Sequence, residues 1–186
     1  MLKKEIEIKI YPFSQLSPPI RKELRNEVAL NFPKVKAFKT RFYYQVPPDY
    51  MFLAIKGNRI IAQRYLTNKT RIIDGKRYKI AGIGISINQE FHGMGLGQSL
   101  TKSILKFIKD RDYDFVMGTT ANSIAKHILK KFGFLELKRQ ITYKDVETKK
   151  IVKEKDWVLV KDFKKGKLIK EIEHSKGPIY LGRGAW

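Results

Sequence analysis

Alternation of polar and apolar residues predicts the strands of this chain. Residues 5–10 alternate between a charged residue and an isoleucine, so a strand is predicted with Ile6, Ile8 and Ile10 on its buried face. Three later segments, 51–56, 59–67 and 77–88, also have strand character. The turns between them, Gly57-Asn58 and Asp74-Gly75, favour the positive backbone angles of tight hairpins. Together these segments predict an antiparallel meander.

Apolar residues spaced three or four apart predict the helices. Ser17-Pro18 can cap and begin a first helix, whose apolar positions are Ile20, Leu24 and Val28. Residues 96–109 form an amphipathic helix, with apolar positions Leu96, Leu100, Ile104, Phe107 and Ile108 and basic positions Lys102, Lys106 and Lys109. A third helix is predicted from Asn122 to Lys131 and ends at Gly133.

The remaining segments complete a mixed fold. A short buried strand is predicted at 115–117, and a closing strand pair at 134–143 and 151–160. The order β-α-β-β-β-α-β-α-β-β predicts an α+β fold, with a central, mostly antiparallel sheet flanked by helices. We expect one domain over residues 1–186, in which the basic tail 161–186 is an appendage.

Composition narrows the class of protein. The chain has 39 Lys and Arg against 18 Asp and Glu, a formal net charge of +21, which attracts phosphates, nucleic acids or acidic surfaces. A lysine-led excess is equally typical of codon bias in an AT-rich genome. The lack of cysteine excludes disulfides, thiolate catalysis and Cys-ligated metal, and we expect no metal site. Without a long apolar run or a signal peptide, the expected location is the cytoplasm, with no membrane partner.

The strongest candidate for chemistry is a glycine loop between a strand and a helix, His92-Gly93-Met94-Gly95-Leu96-Gly97. Glycines let the backbone approach a ligand, and the N–H groups of a helix N-terminus attract phosphate. A nucleotide-hydrolase loop would need Lys-Ser/Thr after the last glycine, where this chain has Gln98-Ser99. A dinucleotide loop would need different glycine spacing near an N-terminal βαβ unit. Both alternatives are disfavoured.

The loop resembles the cofactor motif of the GNAT acetyltransferase superfamily, Arg/Gln-x-x-Gly-x-Gly/Ala after a strand. A second stretch, Asn122-Ser123-Ile124-Ala125 followed by Leu129 and Gly133-Phe134, is similar to that family's Asn-x-x-Ala motif. The two motifs cover residues 80–136. The resemblance implies acetyl-CoA as the acyl donor and an amine as the acceptor.

Carried over by position, the resemblance assigns a cofactor site. It implies that the backbone of Ile85 and Ile87 pairs with the pantetheine arm, that a strand N–H near Ile87 stabilises the oxyanion, and that residues 92–98 hold the pyrophosphate. The implied cofactor-binding residues are Ile85, Ser86, Ile87, His92, Gly93, Met94, Gly95, Leu96, Gly97, Gln98 and Asn122.

Two positions depart from the family pattern. His92 stands where the family usually has Arg or Gln, and it serves as a phosphate donor only in a suitable protonation state. Leu129 stands where many members place a tyrosine that protonates the leaving thiolate. His127 faces away from the Leu129 direction on the same helix, and strand 80–87 has no glutamate base. The catalytic residues are therefore unknown from sequence.

The acceptor side is less defined. Tyr43 and Tyr44, in the basic-aromatic stretch 39–44, either line the acceptor cleft or pack a proline-flanked loop. The chain end, 177–186, is similar to the aminoglycoside 2′-N-acetyltransferase subgroup, which implies that Trp186 contacts the acceptor. Alternatively, Trp186 covers an apolar surface. An aminoglycoside, itself a polycation, would be repelled by the net charge.

Three functions remain open at this point. The first is an N-acetyltransferase that acts on a primary amine of a small molecule, with a homodimer as a candidate assembly. The second uses the same donor but acetylates tRNA or another nucleic acid, which would explain the charge. The third is a basic, catalytically inactive binding module with a GNAT fold, since Leu129 replaces the usual acid.

Overall fold

The computed structural model describes residues 6–174 and 176–184. The elements, in chain order, are β1 (Ile6–Pro12), α1 (Pro18–Asn31), β2 (Tyr50–Lys56), β3 (Arg59–Ile73), β4 (Lys76–Ile87), α2 (Leu96–Lys109), β5 (Phe115–Thr120), α3 (Ser123–Lys131), β6 (Leu135–Glu136), β7 (Ile141–Lys144), β8 (Ile151–Lys153), β9 (Trp157–Asp162), α4 (Lys167–His174) and β10 (Ile179–Arg183). Short 3-10 turns lie at Phe13–Gln15, Lys36–Lys39 and Gln89–Phe91. No helix among these residues is long and apolar enough to span a membrane.

Two sheets organise the chain. The larger has seven strands in the order β1-β2-β3-β4-β5-β9-β6, and every neighbouring pair is antiparallel except β4 with β5. The smaller has three strands in the order β10-β7-β8. The predicted α+β class, with a mostly antiparallel sheet and flanking helices, is confirmed.

The β3–β4 hairpin is the longest pairing in the sheet. Its register runs without interruption from Ile73 opposite Lys76 to Ala62 opposite Ile87. The turn residues Asp74 and Gly75 have φ angles of 52° and 79°, as a tight two-residue hairpin turn requires. β3 is therefore longer than the predicted segment 59–67.

Helices cover both faces of the large sheet. α2 packs on one face, where its buried residues join a cluster with Phe52 and Ala54 of β2. α1 packs on the other, where Leu24 and Val28 contact the alternate β2 residues Met51 and Leu53. Because successive strand residues point to opposite faces, these two cores lie on opposite sides of the sheet.

One predicted core position is wrong. Ile6 and Ile8 are half-buried against the α2 cluster, but Ile10 is 41% exposed. β1 is an edge strand, and α2 packs mainly against β2, β3 and β4. The C-terminal part of β1, which includes Ile10, is therefore exposed on the face that the alternation predicted to be buried.

The predicted closing strand pair is divided between the two sheets. Residues 135–136 pair with β9 in the large sheet, whereas β7 pairs with β8 and β10 in the small one. The apolar pattern predicted one strand over 134–143, whereas the structure has two short strands there, β6 and β7, in different sheets.

The C-terminal segment is part of the core and not an appendage. Ile169, Ile172 and Leu181 are buried in one cluster with Ile80 and Phe115 of the large sheet. Asp162 helps to fix this segment, since its carboxylate accepts the N–H groups of residues 166, 168 and 169 at the start of α4. Because lysines surround these apolar positions in the sequence, helix α4 was not predicted and the segment was taken for a basic tail.

Candidate functional site

Strands β4 and β5 pair for only three residues and then separate. Their parallel register ends where Gly82 lies opposite Met117, but β4 continues to Ile87. Along 83–87, β4 remains paired with β3 on its other edge. One edge of β4 therefore borders an opening that no strand of the described residues fills.

Two hydrogen bonds show which peptide groups face this opening. The Asn88 N–H donates to a β3 carbonyl (3.1 Å), whereas the Lys79 carbonyl accepts from Asp114 N–H at the start of β5 (2.9 Å). In an antiparallel ladder the N–H and C=O of one residue point to the same edge, and the edges alternate. The peptide groups of Ile85 and Ile87 therefore point into the opening.

His92 lies at the far end of the opening. Its Nε2 is 3.1 Å from the Ile87 carbonyl oxygen, so this nitrogen carries a proton and donates. The Ile85 N–H, the Ile85 carbonyl and the Ile87 N–H remain available to a ligand. Donation from His92 to a phosphate would need a second proton, on Nδ1, so its pyrophosphate role stays a prediction.

The N-terminus of α2 is open. Gly93 and Gly95 have φ angles of 81° and 74°, and a Cβ built on either residue would meet no atom within 4 Å. Within residues 6–174 and 176–184, no side chain caps the helix at Gly95. The first helical N–H groups, which lack partners inside a helix, therefore face free space with a partial positive charge, and they can bind an anion.

Other predicted loop residues serve packing. A Cβ on Gly97 would lie 3.3 Å from Ile128 Cδ1 and 3.6 Å from Ile87 Cδ1, so this glycine lets α2 approach both α3 and β4. The Leu96 side chain is buried in the core under α2. Met94 and Gln98 are exposed beside the loop.

The second motif builds helix α3. Asn122 Oδ1 accepts the N–H groups of Ile124 (2.9 Å) and Ala125 (3.0 Å), so only its amide nitrogen is left for a ligand. The Leu129 side chain is buried in the α2 cluster, and His127 is exposed. The first N–H groups of α3 are thus bound by the Asn122 side chain, in contrast to those of α2.

A second group of residues, absent from the sequence prediction, lies on the sheet face opposite α2. Tyr65 of β3 pairs with Gly84 of β4, and a Cβ on Gly84 would overlap the Tyr65 ring and hydroxyl. Burial raises the pKa of Tyr65 to about 12. Next along β4, Ser86 Oγ accepts a hydrogen bond from Asn31 Nδ2 of α1 (2.9 Å).

Buried polar atoms without partners flank Tyr65. Gln63 and Thr67 occupy the neighbouring positions on the same face, and they are 3% and 5% exposed. Neither amide atom of Gln63, nor Thr67 Oγ1, has a hydrogen-bond partner among the described residues. Such groups are costly in a fold unless a ligand or water satisfies them.

The sheet face that α2 covers also has a buried polar atom without a partner among the described residues. Arg64 alternates with Tyr65 and is therefore on the opposite face, where its buried Nε also lacks a partner in the described part of the chain. Burial lowers the pKa of Arg64 to about 10, so the guanidinium is still charged near neutral pH.

The predicted acceptor residues are placed differently from one another. Tyr43 packs edge-on against Phe13 and Phe42, under the Arg41 guanidinium. Tyr44 lines a cavity of about 260 Å³, which residues 34–37 and the turn at 145–147 also border. Trp186 lies outside the described residues.

Comparisons with known proteins address the fold. A family model described as FR47-like protein matches residues 77–143. Escherichia coli ElaA has 15% sequence identity and a TM-score of 0.59, over 85% of this chain and all of that one. YncA of Salmonella typhimurium, whose structure includes its cofactor acetyl-CoA, has 10% identity and a TM-score of 0.54, over 84% of this chain and 93% of that one.

Some similar structures are much longer. A GCN5-related N-acetyltransferase from Kribbella flavida has 15% identity and a TM-score of 0.52 over 73% of this chain, and this chain spans only 34% of its length. No curated protein sequence matches significantly. The narrower resemblance to aminoglycoside acetyltransferases stays a prediction. The wider resemblance is confirmed at the level of the fold, which this chain shares with solved structures of GNAT acetyltransferases.

Proposed function

We propose that this protein is an N-acetyltransferase that transfers the acetyl group of acetyl-CoA to a primary amine of a small molecule. The observation that carries the proposal is the continuity of the opening. The unpaired edge of β4 leads directly into the glycine loop and the uncapped N-terminus of α2. An extended thiol arm fits the first part, and a pyrophosphate fits the second.

In this proposal the backbone does most of the donor binding. Ile85 and Ile87 hydrogen-bond the pantetheine arm as an added strand would, and the N–H groups from Gly93 to Gly97 receive the pyrophosphate. A strand N–H in the opening stabilises the oxygen of the thioester carbonyl when the amine attacks. YncA, with its acetyl-CoA, supports the donor assignment by likeness of fold.

A small acceptor is supported by the cavity at Tyr44. Its volume of about 260 Å³ is slightly below the range of typical ligand pockets, and it is bordered by both cationic and anionic side chains. We therefore propose Tyr44 as an acceptor contact. The packing of Tyr43 among aromatic rings supports a structural role for that residue.

Calorimetry with acetyl-CoA tests the donor site. Gly95→Glu is expected to abolish binding, because a carboxylate would occupy the anion site and repel the pyrophosphate. Gly177→Glu is the matched control, since Gly177 has a similar φ of 82° and equally open surroundings on another surface. Equal loss in both variants would attribute the effect to backbone strain, and a wild-type protein that does not bind millimolar acetyl-CoA would refute the proposal.

The net charge of +21 favours a second candidate, in which the same donor site serves a tRNA or another nucleic-acid acceptor. Exposed Lys102, Lys106 and Lys109 on α2 contribute to that field. A screen of polyamines, peptides, antibiotics and tRNA for thiol release distinguishes the candidates. Acetylation of tRNA, with affinity that falls steeply as salt increases, would favour the nucleic acid. Thiol release with any acceptor would exclude an inactive module.

A further inference from the structure

The residue that usually protonates the leaving thiolate in this fold is replaced by Leu129, which is buried and cannot donate a proton. Either the thiolate of the proposed reaction leaves without a proton, or a proton donor lies elsewhere along the opening. Such a donor has to come within hydrogen-bond distance of a sulfur held beside the free edge of β4, near Ile85.

Tyr65 is a phenol that the hairpin register places on this stretch of β4. Its ring crosses from β3 onto β4, and its hydroxyl lies over the Gly84 backbone, since a Cβ at Gly84 would overlap both. Gly84 directly precedes Ile85, whose peptide groups face the opening. The Tyr65 hydroxyl therefore lies over the stretch of β4 beside which the thioester is predicted. It is on the sheet face opposite α2.

That face has further features of a ligand surface. Tyr65 packs at the junction of two hydrophobic clusters, one around α1 and one around β10 and α4. On β4 the facing residues are Gly82 and Gly84, which fill no space. The unsatisfied groups of Gln63 and Thr67 lie on either side of Tyr65 along β3. Buried polar atoms without partners are costly in the folded state unless a ligand or water reaches them.

We propose that Tyr65 is the proton donor to the leaving thiolate, an inference that rests on the proposed acetyl transfer. The amine nitrogen forms a bond to the thioester carbon, and the C–S bond breaks with its electron pair on sulfur. The Tyr65 O–H proton passes to that sulfur. The phenolate then recovers a proton from the acylated nitrogen, so the tyrosine is regenerated and the products are an amide and a thiol.

The ionisation of Tyr65 is compatible with this role. Burial raises its pKa to about 12, so the phenol carries its proton throughout the physiological pH range. The ring is held by packing on both sides, which keeps the hydroxyl in place without a reorganisation cost.

The experiment compares wild type, Tyr65→Phe and the control Tyr78→Phe. Tyr78 is another buried tyrosine on the same sheet face, but it is opposite Arg71 in the distant half of the hairpin. Calorimetry first measures the binding of CoA to each protein. An ultraviolet titration of bound CoA then follows thiolate formation, and this readout needs no knowledge of the acceptor.

In wild type and Tyr78→Phe, the bound thiol is expected to be about tenfold more acidic than in Tyr65→Phe, because a phenol O–H stabilises the thiolate by a charge-assisted hydrogen bond. CoA affinity should be the same in all three. With any amine that the acceptor screen identifies, kcat should fall on the order of 10²-fold in Tyr65→Phe alone.

The outcomes separate the two proposals. If wild type binds CoA but its thiol titrates identically in Tyr65→Phe, Tyr65 is not the donor, and the donor-site proposal survives. If no protein binds CoA, the proposed function itself fails. Gly84→Ala adds a test independent of the hydroxyl, because the methyl group must displace the ring and should reproduce the effect of Tyr65→Phe on the thiol.

Discussion

The two faces of the β3–β4 hairpin differ in what they offer to a ligand. The α2 face is apolar along β4, where Ile83, Ile85 and Ile87 pack under α2 and α3. At the alternate positions, the opposite face has Gly82, Gly84 and Ser86 beside a row of polar residues on β3. The two faces therefore differ in polarity, and the polar one is the face that contains Tyr65. The free edge between them supplies backbone hydrogen bonds to the donor.

The largest effect is expected from removing one of those edge hydrogen bonds. Ile85→Pro deletes an N–H that points away from β3, so the hairpin ladder is preserved. We expect acetyl transfer to fall about 10²- to 10³-fold, the cost of losing one oxyanion donor. The measurement is kcat in steady state. Ile85→Ala, which shortens the same side chain but keeps the N–H, should retain most activity; equal loss in both would mean that packing, and not the edge, is responsible.

The α2 side of the site was predictable because its signals are local. A strand, three glycines and an amphipathic helix occupy one continuous segment, and the helix predicted from Asn122 is α3, with Asn122 as its cap. Periodicity and glycine positions contain this information. The open edge of β4 itself did not follow from the pattern, since it depends on where β5 diverges.

The opposite face was missed because its residues come from distant segments. Tyr65 looked like an ordinary strand residue, yet the Asp74-Gly75 turn fixes its partner. Tyr65 is nine positions before Asp74, and Gly84 is nine positions after Gly75. That register was available from the sequence. The burial of the C-terminal strand on this face was not, because it depends on contacts across about 110 residues, such as Lys69 Nζ with the Arg183 carbonyl.

The second largest effect is expected from Lys69, a β3 residue of this polar face that contacts residues 183 and 184. Its Nζ donates to the carbonyls of Arg183 (3.1 Å) and Gly184 (2.7 Å), and burial, with a smaller contribution from Arg71, lowers its pKa to about 8. Above pH 8 the folded protein loses this proton while the unfolded chain keeps it to about pH 10.5. Stability should therefore rise through this window, by on the order of 3 kcal/mol.

Urea denaturation of wild type and Lys69→Met at pH 7.5, 9 and 10.5 measures this rise as a difference between the two proteins. Methionine retains most of the side-chain volume and has no proton to lose. The difference in free energy of unfolding should change with pH in favour of wild type. If the free energies of unfolding of the two proteins change in parallel with pH, the charged Lys69 side chain is no more desolvated by folding than a surface lysine.

A smaller effect is expected at Arg64, the exception on the apolar face. Its charged guanidinium is buried, and its Nε has no partner in the described residues. Replacement by methionine should raise the free energy of unfolding by about 1–3 kcal/mol, because desolvation of the charge is no longer required. Arg77→Met, at an exposed position of β4, controls for the loss of one positive charge. A stability decrease in Arg64→Met would show that the guanidinium is satisfied in solution.

The smallest effect tests the ligand-binding character of the polar face with two buried glutamines. The Gln63 amide has no partner in the part of the chain that the structure describes, whereas Gln45 donates to Asp145 and accepts from the Val146 N–H. Gln63→Leu should raise the free energy of unfolding by about 1 kcal/mol and Gln45→Leu should lower it by a similar amount, because only the second breaks hydrogen bonds. Both changes are measured by urea denaturation. If Gln63 serves the acceptor, the stabilised Gln63→Leu protein should also have a higher KM for the amine and an unchanged affinity for acetyl-CoA. A stabilised variant with unchanged KM would show that Gln63 does not contact the acceptor.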